Sequence, residues 1–366
     1  MGLTAGIVGL PNVGKSTLFN AITNSTVEAA NYPFATIQPN VGVVEVPDER
    51  LDELTKLFKP RKTVHTTFEF TDIAGLVKGA SKGEGLGNQF LAHIRQTDAI
   101  CEVVRCFEDN SITHVEGTVD PIRDIEIIGL ELIIADLESV QNRITKVERK
   151  AQTKEKDAVL EFNALKKVEA ALLENMPVRS VKLSKDEQAI LKNFNLLTAK
   201  PIIYVANVSE DLAGDASSDP NYQKVYEYAA KEGSEVIAVS AKIEDELAKM
   251  EPEDREMFLE DLGIQTSGLE RLIKSAYHLL GLKTYFTVGE PECRAWTFKD
   301  GMLAPQCAGI IHTDFERGFI RAETYSYEDI MQYKTEVAVK QAGKMRSEGK
   351  DYVVQDGDIM NFLFNV

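Results

Sequence analysis

The residues best suited to chemistry lie near the N-terminus, in the segment Gly9–Ser16, which reads GLPNVGKS. This is the spacing of a phosphate-binding loop: glycines let backbone N–H groups curl around phosphate oxygens, Lys15 reaches the β- and γ-phosphates, and Ser16 offers its hydroxyl to Mg²⁺. The apolar run Leu3–Val8 predicts a buried strand before the loop. Lys15–Thr23 predicts a helix whose positive N-terminal end faces the anion. The segment therefore predicts a site for a nucleoside triphosphate.

Two further motifs follow the phosphate loop in the order typical of switch-type nucleoside triphosphatases. Asn31–Asn40 is polar and contains prolines, which predicts a loop, and Thr36 within it is placed to close over the γ-phosphate and ligate Mg²⁺. A strand predicted over Thr66–Thr71 ends at Asp72, an acidic residue that would hold Mg²⁺ through water. The backbone N–H of Gly75 would then contact the γ-phosphate.

The residue that would orient the attacking water is absent from its usual position. Leu76 stands where many switch enzymes have a glutamine, and a leucine side chain has no polar group that can hold water. We therefore expect slow intrinsic hydrolysis, or another residue that supplies this contact. His114, in a loop predicted over Glu108–Gly117, is the titratable candidate, and a solvated loop histidine is the alternative interpretation.

A base-reading segment follows a strand predicted over Pro201–Ala206. Guanine-specific proteins of this class have Asn-Lys-x-Asp here, and the aspartate accepts hydrogen bonds from guanine N1–H and the 2-amino group. This chain keeps Asn207, but it has Val208 in place of lysine and the longer Glu210 in place of aspartate. A less firmly placed carboxylate weakens the preference for guanine without by itself selecting adenine. Ser240, after a further predicted strand, contributes the last loop around the base.

Composition bounds the class of protein. Of 366 residues, 43% are hydrophobic and 27% are charged, as in soluble globular proteins with two or three units. The sequence has no run of eighteen apolar residues and no signal-peptide pattern, so we expect a cytoplasmic protein without a membrane partner. Its four cysteines form no CxxC pair, which predicts reduced, buried thiols. The net charge of −17 argues against indiscriminate nucleic-acid binding, while local basic patches would still be able to dock on RNA.

A helical insertion separates the phosphate motifs from the base-reading motif. Apolar residues four and three apart form a seam over Ile133–Val147, and a second stripe covers Phe162–Leu172. Ser184 and Glu187 form a capping box that opens another helix. The pattern predicts an antiparallel helical hairpin within 129–200. Basic residues interleaved with acids on this hairpin fit either a solvated helix face or a docking arm.

Together these residues resemble the Obg-like ATPase family, also called YchF, over the whole chain. The resemblance rests on Gly9–Ser16, on Asn31–Asn40, on Asp72–Gly75 followed by the hydrophobic Leu76, and on Asn207–Glu210 in place of Asn-Lys-x-Asp. It implies descent from the translation-factor class of GTPases, with ATP hydrolysed in preference to GTP. It also implies association with the ribosome and with oxidative-stress responses.

The resemblance extends to the C-terminal part of the chain. The segments that look like a TGS domain, a small β-grasp module, are Gly281–Val288, Arg294–Phe298, Gly318–Glu323 and Tyr352–Phe364. The expected fold is therefore α/β: an Obg-type P-loop nucleoside triphosphatase domain over 1–280 with the inserted hairpin, and a TGS domain over 281–366.

Carried over position by position, the resemblance also assigns roles to the site residues. The phosphates would be held by Asn12, Val13, Gly14, Lys15, Ser16 and Thr17. Ser16 and Thr36 would ligate Mg²⁺. Asn207 would bind adenine through its side chain and Val208 through its backbone. Asn12 also matches relatives that use a potassium ion to stabilise charge, so the resemblance keeps K⁺ as an alternative second cofactor beside Mg²⁺.

We therefore expect a slow, Mg²⁺-dependent ATP-hydrolysing switch whose partners are ATP, the ribosome (its subunits or rRNA) and stress-response proteins. The residues expected to act in hydrolysis are Lys15, Thr36, Gly75 and His114. Two alternatives stay open. One is a GTPase of ribosome assembly, which Val208 and Glu210 disfavour. The other is an interaction protein whose bound nucleotide gates partner binding, with incidental hydrolysis, which Leu76 favours.

Overall fold

The computed structural model of the chain describes residues 3–24, 40–73 and 86–365. In chain order, the strands are β1 Thr4–Val8, β2 Val41–Glu45, β3 Lys62–Val64, β4 Thr67–Asp72, β5 Ala99–Arg105, β6 Ile202–Asn207, β7 Glu235–Val239, β8 Leu282–Thr287, β9 Glu292–Lys299, β10 Phe319–Ser326, β11 Arg346–Glu348 and β12 Asp358–Phe364. The helices are α1 Lys15–Asn24, α2 Glu49–Phe58, α3 Leu86–Gln96, α4 Pro121–Gln152, α5 Lys156–Leu173, α6 Lys185–Leu191, α7 Pro220–Glu232, α8 Ala241–Leu247, α9 Pro252–Asp261, α10 Gly268–Leu279, α11 Ala304–Ile311, α12 Thr313–Arg317, α13 Tyr327–Tyr333 and α14 Glu336–Gln341.

The described residues fall into two compact units, one within 1–44 and 69–272 and the other within 45–68 and 273–366. The first unit is built on a sheet in the order β2-β4-β1-β5-β6-β7, in which β4, β1, β5, β6 and β7 pair in parallel. Every residue of β5 and β6 is buried, as expected for central parallel strands covered on both faces. The strands and the first helix predicted from the sequence here are confirmed to within one residue at each end.

The strand order has a consequence for ligand binding. After β1 the chain forms β4 on one side of β1 and β5 on the other. In open parallel sheets, ligands bind outside the carboxyl ends of the strands at such a reversal of order. The loops that follow β1, β4 and β5 are therefore the first place to look for a site.

The inserted helices form the predicted hairpin. α4 and α5 are joined through Thr153–Glu155 and pack along the two predicted apolar stripes, with Val140 and Val147 of α4 and Leu165 of α5 buried in one core. The capping box at Ser184 is present. α4 begins at Pro121, earlier than the predicted start at 129, because the Asp120 side chain caps the helix and proline occupies its first turn.

The second unit contains a mixed sheet in the order β11-β10-β12-β8-β9-β3. β8 and β9 form an antiparallel pair, and β12 runs parallel to β8. One core joins Ala304, Cys307 and Ala308 of α11 to sheet residues that include Tyr285 and Phe298. The second unit is therefore a mixed β-sheet with a helix packed on it, and its assignment as a TGS domain stays a prediction.

The division into units differs from the predicted boundary between 280 and 281. Residues 45–68 group with the C-terminal unit, because β3 pairs with β9 and because Leu51 and Leu54 of α2 are buried with Phe286. A short strand and one amphipathic helix carry no sequence signal for the sheet they join. The C-terminal unit therefore includes an N-terminal segment that the sequence pattern did not assign to it.

Two composition-based expectations have structural counterparts. Cys101, Cys106, Cys293 and Cys307 are all free and buried, which confirms the expected thiols. Within the ranges that the structure describes, no helix combines the length and the apolar character required to cross a bilayer.

Candidate nucleotide-binding site

A cleft of about 770 Å³ opens in the first unit where four strands end. Its lining residues come from four segments, namely Leu10–Thr17 after β1, Phe107–Ile112 after β5, Asn207–Glu210 at the end of β6, and Ser240–Lys242 after β7. The volume lies in the range of small-ligand sites. The phosphate loop and the base-reading segments, far apart in sequence, thus line a single cleft.

The phosphate loop requires glycine at position 14, because any side chain there would strain the backbone and collide with a neighbour. Gly14 has φ of 95°, and a Cβ atom there would lie 2.1 Å from Nδ2 of Asn207. Gly9 is similarly close-packed, since its Cβ would lie 2.9 Å from the carbonyl oxygen of Val103. The glycines therefore allow the loop to approach β5 and the base-reading segment while its N–H groups stay available for an anion.

The lysine predicted to contact phosphate and the aspartate predicted to bind magnesium lie together. Lys15, the first residue of α1, forms an ion pair with the carboxylate of Asp72 at the end of β4, and the lysine is 9% exposed. Ser16 lines the same cleft. Hydroxyl and carboxylate oxygens are the ligands that Mg²⁺ prefers, so the donor set of Ser16 and Asp72 fits that ion.

Asn207 joins three of the segments that form the cleft. Its side chain is buried, donates from Nδ2 to the carbonyl of Val13 at 2.8 Å, and accepts at Oδ1 from the N–H of Ala241 at 3.0 Å. The bond to Val13 uses one of the two N–H donors on Nδ2. Asn207 therefore fixes the phosphate loop against the base-reading segments, a structural role that the sequence motif does not reveal.

The residues beside Asn207 define the rim of the cleft. The backbone N–H of Val208 donates to the carbonyl of Val239 at 2.9 Å, so its carbonyl oxygen is the polar backbone atom left for a ligand. Ser240 is buried and is the N-cap residue of α8. The Glu210 carboxylate forms an ion pair with Lys242 at 2.5 Å, and this hydrogen bond raises the pKa of the Lys242 ammonium.

His114 is buried and both of its ring nitrogens are engaged. Nε2 lies 2.8 Å from Oδ2 of Asp124, and Nδ1 accepts from the N–H of Glu116 at 3.1 Å. Because Nδ1 accepts, the ring proton lies on Nε2 and is donated to Asp124. His114 does not line the cleft, but the carbonyl of the preceding Thr113 accepts from Asn12 of the phosphate loop at 3.0 Å.

The lining residues that follow β5 and the arginine behind them were not predicted to be functional. The loop after β5 contributes Phe107, Glu108, Asp109 and Ile112 to the lining. Arg105, at the end of β5, is buried directly behind this loop. The available signal was the arginine itself, a charged residue at the end of a strand that is apolar apart from Glu102.

Three positions predicted for the site, Thr36, Gly75 and Leu76, lie outside the described residues.

Comparison with known proteins identifies the family. Residues 4–131 match a family model described as 50S ribosome-binding GTPase. Residues 282–365 match the model YchF-GTPase_C, described as protein of unknown function (DUF933). The chain is 64% identical to the Bacillus subtilis (strain 168) protein named ribosome-binding ATPase YchF, over 366 residues and all of both chains. The chain belongs to the YchF family.

Other YchF proteins agree with this assignment. The YchF protein of Escherichia coli O157:H7, also named ribosome-binding ATPase, is 55% identical over 100% of both chains. The solved structure of the Schizosaccharomyces pombe YchF GTPase is similar with a TM-score of 0.88 and 42% identity, covering 99% of this chain and 98% of that one. The family resemblance and the P-loop α/β fold expected from the sequence are thus confirmed.

Proposed function

We propose that this YchF-family chain is a Mg²⁺-dependent ATP hydrolase whose nucleotide state controls its binding to the ribosome in the cytoplasm. The observation that carries the proposal is the single cleft in which the phosphate loop faces Asn207–Glu210 and Ser240–Lys242. A ligand with a triphosphate at one end and a base at the other has the matching chemistry. The names of the bacterial relatives, ribosome-binding ATPases, agree with this proposal.

At the phosphate end, nucleotide binding would separate the ion pair of Lys15 and Asp72 and give each residue a new partner. The Lys15 ammonium would leave Asp72 for the β- and γ-phosphate oxygens, and Asp72 would become available to Mg²⁺ together with Ser16 and Thr36. A magnesium ion bound there supplies positive charge that offsets the charge of the phosphate oxygens. The side-chain oxygen of Asn12 is the atom that would ligate K⁺, since the nitrogen donates to Thr113.

At the base end, two features favour adenine. The carbonyl of Val208 can accept a hydrogen bond from the 6-amino group of adenine, whereas guanine presents the acceptor O6 to the same position. The Glu210 carboxylate, which guanine would need for its N1–H and 2-amino donors, is paired with Lys242. Both features act against guanine, because they would leave the polar groups of a bound guanine without hydrogen-bond partners.

Hydrolysis would proceed by in-line attack of water on the γ-phosphate, with positioning and electrostatics as the main contributions. The Gly75 N–H would contact the γ-phosphate. We assign His114 to orient the water, which requires its ring to leave Asp124 and turn toward the phosphate loop. The need for this movement fits the slow intrinsic rate expected from Leu76.

For partner binding we propose the helical hairpin and the C-terminal TGS-like unit as the surfaces that contact the ribosome or its RNA. Stress-response proteins are a further class of proposed partner. The alternative, an interaction protein with incidental hydrolysis, differs from our proposal in one observable, the effect of ribosomes on turnover.

The proposal is tested by measuring phosphate release from ATP by the purified chain, with Mg²⁺ or with EDTA, in the presence and absence of ribosomes. We expect slow, Mg²⁺-dependent release that ribosomes accelerate, and loss of release in Ser16→Ala. Co-sedimentation with ribosomes should differ between a non-hydrolysable ATP analogue and ADP. Absence of Mg²⁺-dependent release under both conditions would contradict the proposal, and nucleotide-dependent co-sedimentation without acceleration would favour the interaction protein.

A further inference from the structure

Arg105 is the largest fully buried side chain in the described part of the protein. It ends β5, next to Asn207 of β6 in the strand register, and is 1% exposed. A buried guanidinium is costly unless its N–H groups find acceptors. The location of those acceptors therefore shows what the residue holds in place.

All the acceptors of Arg105 belong to one loop. Nε donates to the carbonyl of Phe107 at 3.2 Å, Nη1 to that of Ile112 at 3.1 Å, and Nη2 to that of Asp109 at 3.1 Å. The guanidinium carbon also lies 4.5 Å from the centroid of the Phe107 ring. Because the guanidinium is planar and its donors have a fixed arrangement, three carbonyls bound at once define the path of the loop.

The loop held in this way is one wall of the nucleotide cleft. Its side chains at Phe107, Asp109 and Ile112 line the cleft, whereas Arg105 lies behind them and does not. Just beyond the wall, the carbonyl of Thr113 accepts from Asn12 of the phosphate loop. The wall is therefore anchored to the sheet by Arg105 and to the phosphate loop by Asn12.

We propose that Arg105 is a positioning residue for nucleotide binding, which holds the wall 107–112 in its binding shape before the ligand enters. A loop that is already ordered removes the entropic cost of ordering it during binding, so affinity is higher than for the same contacts on a loose loop. The inference rests on the proposed function, since it assumes that the cleft binds ATP.

The test compares Arg105→Lys with Arg179→Lys, the same change at a partly buried arginine of the same unit that pairs with Glu232 and does not line the cleft. A lysine keeps the positive charge, but its three N–H donors share one nitrogen and cannot occupy the separate positions of Nε, Nη1 and Nη2. We expect the Kd for ATP to rise at least tenfold in Arg105→Lys and to stay within twofold in Arg179→Lys. Amide hydrogen exchange should become faster at 107–113 in Arg105→Lys alone.

An unchanged ATP affinity in folded Arg105→Lys would overturn the inference. Weaker binding accompanied by faster exchange throughout the sheet would also overturn it, because the role would then be general stability. If the wild-type protein binds no nucleotide, the proposed function fails instead, and the exchange measurement still decides whether Arg105 holds the loop.

If Arg105→Lys does not fold, amide hydrogen exchange in the wild-type protein tests whether the wall 107–112 is formed before nucleotide binds. The N–H groups of Ser111 and Ile112 donate to the side chain and the carbonyl of Asp109, at 2.8 and 3.2 Å. We expect both amides to be protected in the absence of nucleotide. Exchange of both at the rate of an unstructured peptide would contradict a wall that is formed in advance.

Discussion

The two ends of strands β5 and β6 use the same chemistry for different purposes. At the carboxyl end, the buried Arg105 donates to three carbonyls of the loop 107–112. At the amino end, Lys200 precedes β6 and donates to the carbonyls of Thr97 and Arg95, which lie where α3 ends. In both places a basic side chain donates hydrogen bonds to backbone carbonyls, so the presence of a cation does not by itself distinguish the two ends of the strands.

The difference lies in what the satisfied carbonyls belong to. Lys200 donates to carbonyls at a helix C-terminus, a common way to satisfy the backbone acceptors left where a helix ends. Arg105 shapes a loop that faces the cleft. Loops at the carboxyl ends of parallel strands converge on one site, and those at the amino ends do not. The end of the strand at which a cation lies therefore indicates whether that cation bears on ligand binding.

Between the two ends lies a partly buried network of hydrogen bonds and ion pairs whose residues do not line the cleft. Arg179 pairs with Glu232 at 2.8 Å, and the hydroxyl of Tyr204 donates to the same carboxylate at 3.0 Å. Glu102, opposite Tyr204 in the register, is buried, and burial raises the pKa of its carboxyl well above the ordinary value. We expect this network to contribute to stability and not to nucleotide binding.

The largest effect in this comparison is expected at the phosphate loop. Lys15→Ala removes the charge that faces the β- and γ-phosphates, and kcat/KM for ATP should fall about a thousandfold. Lys200→Ala, the matched change at the amino ends of the strands, should lower the thermal midpoint while leaving kcat/KM within about threefold. Steady-state phosphate release and thermal unfolding measure both. A comparable loss of turnover in both variants would remove the distinction between the two ends.

The next largest effect concerns His114. His114→Ala should reduce turnover about a hundredfold, the usual contribution of a positioned acid or base, while ATP affinity changes little. Single-turnover rates and equilibrium binding separate these quantities. Because His114 also donates to Asp124, the free energy of unfolding should be measured alongside. Equal turnover in the folded variant would eliminate His114 as the water-positioning residue.

In the network of Arg179, Glu232 and Tyr204, the change Glu232→Gln should lower the stability of the protein and leave its activity unchanged. The change leaves the largely buried Arg179 without a charged partner, and the free energy of unfolding should fall by about 2 kcal/mol. Urea unfolding measures this value, and ATP turnover at 25 °C should be unchanged. A variant that loses turnover without losing stability would mean that the network acts on the cleft.

The smallest effect is a pH dependence that originates at Glu102. Its folded-state pKa is raised, since burial outweighs the attraction of Arg179, and the nearby Glu232 and Asp124 raise it further. The folded state thus keeps a proton that the unfolded state releases. Its contribution to stability is full below the ordinary value of 4.5 and is lost as pH rises through the folded pKa.

Glu102→Gln keeps the shape of the protonated side chain and cannot ionise. Relative to the wild-type protein, the variant should become more stable as the pH rises from 5 to 8, because the wild-type protein loses the contribution of Glu102 as its folded pKa is approached. Urea unfolding at both pH values provides the comparison. A stability difference that does not change with pH would show that Glu102 is not the source.

The phosphate end of the cleft was predictable because its motif is local. Backbone turns in Gly9–Ser16 and a strand ending at Asp72 follow from neighbouring residues, and in the folded chain Lys15 of this segment pairs with Asp72. The wall at 107–112 was not predictable, because its shape depends on Arg105 contacts that only the folded loop reveals. Likewise, α2 joins the second unit through burial against Phe286, a contact distant in sequence.

The most direct test of the central claim is equilibrium competition between ATP and GTP for the wild-type cleft in the presence of Mg²⁺. With the Val208 carbonyl as an acceptor and Glu210 held by Lys242, the Kd for ATP should be at least tenfold lower than that for GTP. A Kd for GTP that equals or falls below that for ATP would contradict the account of the base end.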